Sequence, residues 1–156
     1  MPTNKDESLA LLKTLADTVA DSVNGYRHAA QHAEQPQMQS LFTALVNERD
    51  RTLRDMNKLL YAEGVDPDRD GTTLGYLHQR WLDFKANFAG RDDRAVIEEV
   101  LRGEEYLIEK LESALAAANM TADVAAMIER AHRSVQANRK QVAELNRSPA
   151  VQTPSG

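Results

Sequence analysis

The sequence contains no cysteine, which removes disulfides, thiolate metal sites, iron–sulfur clusters and a cysteine nucleophile together. It has no apolar run near the roughly 20 residues needed to span a bilayer, and the opening eight residues, Met1 to Ser8, hold no apolar signal core. A cytoplasmic protein without a membrane partner is the expectation. No glycine-rich phosphate loop occurs, and no Ser/His/Asp grouping stands out from what a helical chain carries by chance. The net charge of -5 arises from interleaved signs, which suits solubility and gives no footprint for nucleic acid. Arg49, Arg51 and Arg54 do cluster, but they alternate with Asp50 and Asp55 and read as a solvated, salt-bridged face.

What the chain does have is apolar periodicity. A length of 156 residues fits one domain with a continuous core. Leu9, Leu12, Ala16, Val19, Val23, Tyr26 and Ala30 alternate steps of three and four, the mark of a helix with one buried seam. Asn4 and Glu7 resemble a capping box, and Pro36 suits the first residue of a second helix, so the first should end near Gln35. The second seam reads Leu41, Leu45, Glu48, Thr52, Met56 and Leu59, with Phe42, Val46, Leu53 and Leu60 beside it, and stops at Gly64. So short a turn makes the first two helices an antiparallel pair.

Val65 to Thr73 reads as loop, and Leu74, Leu77, Trp81, Phe84 and Phe88 as a short amphipathic helix ended by Gly90. A third long helix is expected from about Asp92 to Ala118, with Ile97, Val100, Glu104, Leu107, Leu111 and Leu115 inward. Thr121 should cap a fourth, whose seam is Val124, Ile128, Ala131, Val135, Asn138, Val142 and Leu145. The bundle thus occupies residues 1–146, and 147–156, without apolar period, should be a disordered tail. A short helix of about four turns travels on the order of 22 Å at about 1.5 Å per residue. That allows a single-crossover, ferritin-like bundle with helices two and three parallel; a plain up-down-up-down bundle is the alternative. The apolar stripe of the short helix is also the expected contact of a homodimer.

Asn24-Gly25-Tyr26-Arg27-His28-Ala29-Ala30, then Leu41-Phe42, Gly75-Tyr76-Leu77-His78-Gln79-Arg80-Trp81 and Arg102-Gly103-Glu104-Glu105 resemble a bacterial family of ferritin-like four-helix-bundle proteins, a domain of unknown function. The resemblance covers about Leu9 to Leu145. It implies an all-α, ferritin-like four-helix bundle with a crossover helix, and loosely a role in stress tolerance or a partner complex. Two departures weaken any metal role: Gln31 stands where relatives usually offer a glutamate, and the second helix continues Arg51-Thr52-Leu53 where a histidine could stand.

A ferritin-type dinuclear centre takes one Glu from each of two helices and a Glu-x-x-His from each of the others. Here Glu48 is followed by Arg51 instead of histidine, the first seam has no acid, and Glu129 and His132 flank the fourth seam. No cofactor is therefore expected. The alternative is an incomplete iron or manganese site of Glu48, Glu104, Glu129 and His132. Buried Glu48 and Glu104 would otherwise need a structural network with Arg49, Asn138 or Tyr26. His28 and His32, one turn apart, read as exposed. Gly25 and Gly103 each cost about 1 kcal/mol against alanine inside a helix, which points to close packing against Trp81 or to a small cavity beside Tyr26 and Glu104. The leading expectation is a non-enzymatic, self-associating bundle, with a metal or redox protein and a small-ligand carrier as alternatives.

Overall fold

A computed structural model describes residues 4–66, 92–117 and 120–147. They form four α-helices: α1, Asn4–His32; α2, Pro36–Ala62; α3, Asp93–Leu115; and α4, Ala122–Asn146. No strand occurs among the described residues. The expected crossover helix, with Trp81 and its apolar stripe, and the expected tail beyond Arg147 lie outside them.

The fourth seam is buried at every position from Val124 to Leu145, and the first and third are buried except at their last members, Ala30 and Leu115, which are half-buried. α1 stops at His32 instead of Gln35. Gln35 precedes a proline, whose ring drives it out of the helical region to φ -77°, ψ 128°. α2 ends in a Schellman motif: Gly64 takes a left-handed φ of 81°, its N–H donates to Tyr61 O at 3.0 Å, and Val65 N–H donates to Leu60 O at 2.9 Å. Asp92 caps α3 by accepting from Ala95 N–H at 2.9 Å. Thr121 does hold the N-cap position of α4, but its hydroxyl makes no capping bond. Its backbone N–H donates instead to Ser8 Oγ at 2.9 Å.

Contacts at the two ends settle the topology. At one end Asp93, in the first turn of α3, accepts from the N–H groups of Glu34 and Gln35 at 2.8 and 2.9 Å. At the other, Lys5 pairs with Glu63 and Ser8 meets Thr121. α2 therefore ends where α4 begins, and α3 starts at the opposite end, so α2 and α3 run parallel. They are also diagonal: α1 packs on all three other helices and α4 on both α1 and α2, but no Cα atoms of α2 and α3 come within 8 Å of each other. This is the single-crossover arrangement of ferritin-like bundles.

The core divides into two apolar clusters. One holds Leu9 to Val19, Met56, Leu60, Leu107, Leu111 and Val124 to Val135. The other holds Tyr26, Ala29, Phe42, Leu45, Val96 to Val100, Val142 and Leu145. Each helix passes from one cluster to the other at a polar residue: Ser22 in α1, Arg49 in α2, Glu104 in α3 and Asn138 in α4.

Candidate functional site

That polar layer is the chemical centre of the bundle. Arg49 is 0% exposed, although the sequence placed it with Arg51 and Arg54 on a solvated face. The two latter are exposed, and Arg54 pairs with Asp50 at 3.1 Å. Arg49 differs because the buried stripe of α2 runs through Met38, Phe42, Leu45, Arg49, Met56 and Leu60, one residue away from the stripe through Glu48. Its Nη1 donates to Glu104 Oε1 at 2.8 Å and its Nη2 to Oε2 at 2.6 Å, a bidentate pair. Nη1 also donates to Ser22 Oγ, and Nη2 to Asn138 Oδ1 at 3.1 Å. Four of the five guanidinium protons are thus placed, and only Nε is buried without a partner. The guanidinium carbon stands 5.2 Å from the centroid of the Tyr26 ring, a cation–π distance.

Burial alone would lower the Arg49 pKa, but the Glu104 carboxylate more than offsets it and the net shift is upward. The cation is fixed in its charged form. Burial likewise pushes the Tyr26 phenol well above its ordinary value of 10.0; the nearby Glu104 charge adds to the rise and Arg49 opposes it. The Tyr26 hydroxyl feels both charges but has no partner in hydrogen-bond geometry.

The raised phenol has a measurable consequence. Unfolded tyrosine ionises near its ordinary value while folded Tyr26 keeps its proton, so the contribution is complete below pH 10.0 and is lost as pH climbs through the folded value. Phenolate absorbance in an alkaline titration should show one of the four tyrosines ionising late, together with unfolding. Tyr26→Phe should remove that late step. Four tyrosines titrating together in the intact fold would contradict this geometry.

The residues read as possible metal ligands do not converge. Glu104 is committed to Arg49 through both oxygens. Glu48, half-buried, accepts from Ser134 Oγ at 3.0 Å. His132 faces Glu112 across 3.3 Å, and Glu129 is exposed. Among the described residues no three His, Asp or Glu side chains are placed to hold a metal ion. The dinuclear centre that a ferritin-like bundle suggests is not fitted by this donor set. His28, read from sequence as exposed, is buried at 4%. The half-buried His32 turns its Nδ1 onto the His28 carbonyl at 3.0 Å.

Gly25, Tyr26 and Gly103 line one small cleft between α1 and α3, of about 50 Å³, together with Ser22 and Glu104 from the polar layer. Trp81 lies outside the described residues. Two further functional groups were not singled out by sequence: Ser22, a small polar residue indistinguishable from a surface serine, and Asp21, 6% exposed, which also lines the cleft.

No curated protein matches the chain. Among solved structures it is similar to a two-domain protein from Anabaena variabilis containing DJ-1/ThiJ/PfpI-like and ferritin-like domains, with a TM-score of 0.79 and 15% identity. The match covers 99% of this chain and 42% of that one. At that identity the likeness establishes the fold alone. The family model described as "Domain of unknown function (DUF2383)" matches residues 7–117, which include Tyr26, Arg49 and Glu104, and the chain belongs to that family.

Proposed function

We propose that the chain is a non-enzymatic, self-associating ferritin-like module whose centre is organised by an internal guanidinium in place of metal ions. The bidentate Arg49–Glu104 pair carries this reading. Carboxylate centres of ferritin-like bundles gather acids from all four helices to offset the charge of two cations. Here one helix supplies a permanent cation at that layer, a second supplies the single acid that balances it, and a serine and an asparagine complete the shell. A divalent ion entering this layer would meet Arg49 at van der Waals range and no spare anionic pair. Self-association rests on the apolar stripe from Leu74 to Phe88 read from sequence.

Elemental analysis after purification without chelator should find well under one equivalent of iron or manganese, and Fe(II) in air should oxidise no faster with the protein than in buffer. Two equivalents of iron, lost in Glu104→Ala, would overturn the reading in favour of a metal protein.

A further inference from the structure

Beyond the scaffold role, the cleft between α1 and α3 has the shape of a small binding site. Gly25 of α1 and Gly103 of α3 both line it. Glycine inside a helix is unfavourable against alanine, because its backbone loses more freedom on folding and it has no side chain to pack. Two such positions at one place leave open a volume of about 50 Å³. At about 10–15 Å³ per water-sized group, that volume accepts on the order of three to five heavy atoms.

The charged groups beside this space are already engaged. Arg49 holds both oxygens of Glu104, so cation and anion balance each other, and Asp21 has an interaction of its own. Ser22 Oγ accepts from the same guanidinium, and Thr18 donates its proton to Thr14 O at 3.1 Å. The Tyr26 hydroxyl is different. Its residue is 2% exposed and lines the cleft, and although Glu104 and Arg49 both act on it electrostatically, it has no partner in hydrogen-bond geometry. Burial keeps the phenol protonated, so the group it lacks is an acceptor. A buried donor without one is a cost that a bound acceptor removes. Val100 and Leu107 supply an apolar wall.

We propose that this cleft binds a small neutral carbonyl compound, a ketone or aldehyde of about the size of acetone, its oxygen accepting from the Tyr26 hydroxyl and its alkyl part lying on Val100 and Leu107. Such a molecule brings one acceptor, no donor and no charge. An ammonium has donors only and would offer the phenol nothing to bond. A carboxylate could accept from the phenol, but it would leave water for a layer whose one cation is already balanced by Glu104. With so few atoms in contact, the affinity should fall in the millimolar range.

The test is an amide NMR titration of the full chain with acetone, propylammonium and propionate at matched ionic strength. Acetone should shift the Gly25 and Gly103 signals saturably, while the two ions at the same concentrations should leave them unmoved. Tyr26→Phe keeps the ring and removes the donor, and should weaken acetone by about five- to tenfold. Gly103→Ala, which places a methyl group in the lining, should abolish the response. If either variant fails to fold, the comparison of the three ligands on the unmodified protein decides. Absence of saturable shifts with acetone, equal binding of either ion, or acetone binding unchanged in a folded Tyr26→Phe or Gly103→Ala would overturn the proposal. None of these readouts depends on metal content or on self-association.

Discussion

Glu104→Leu should lower the folding stability by about 3–5 kcal/mol, because it leaves the Arg49 guanidinium buried without its counter-charge. Arg49→Met should cost a similar amount for the converse reason. Combining the two should restore most of the loss, since apolar residues of comparable volume can replace a buried ion pair at little net cost. Urea unfolding of the four proteins measures the coupling directly. If either single replacement cost less than about 1 kcal/mol, the pair would behave like an exposed one, and its placement at the centre of the core would be wrong.

Asp93→Ala is expected to cost about 2–3 kcal/mol. It removes two charge-assisted hydrogen bonds to the N–H groups of Glu34 and Gln35, each worth about 1.5–3 kcal/mol when well shielded. The sum is discounted because Glu34 is exposed and Gln35 half-buried. The turn between α1 and α2 should loosen first, so hydrogen exchange at those two amides should accelerate before global stability is exhausted. Exchange that is unchanged in the variant would show that the carboxylate does not hold the turn.

The apolar spacing of α1, α3 and α4 was sufficient to identify their seams, because their inward positions are apolar or, at Glu104 and Asn138, polar residues standing in otherwise apolar rows. α2 defeated the same reasoning. Two stripes run side by side there, and the one that proved buried contains an arginine, a residue rarely inside unless paired. Its partner lies 55 positions away on another helix, so the pairing is legible only from the acid's side: a seam glutamate at 104 calls for a network with Arg49, Asn138 or Tyr26, and the structure supplies Arg49 and, through it, Asn138. The burial of His28 escapes for a related reason: it stands off the apolar row of α1, and a single heptad row reports only the face it lies on. Asp93 goes unnoticed in the sequence, since its role depends on a turn 58 and 59 residues earlier in the chain. The glycines at 25 and 103 were conspicuous by their cost, but which space they open onto required the packing of α1 on α3.

The diagonal placement of α2 and α3 gives the Arg49–Glu104 pair a mechanical meaning. Each hairpin, α1 with α2 and α3 with α4, is closed by a short connection, so the two can be regarded as half-bundles that must find one another. Apolar seams tolerate sliding, because a leucine finds another leucine a turn away. A bidentate fork does not: a shift of one residue moves a side chain by about 1.5 Å along the axis and about 100° around it, which separates guanidinium from carboxylate and strands both charges in the core. The pair therefore acts as an alignment key between half-bundles, accepting one register of docking and rejecting its neighbours.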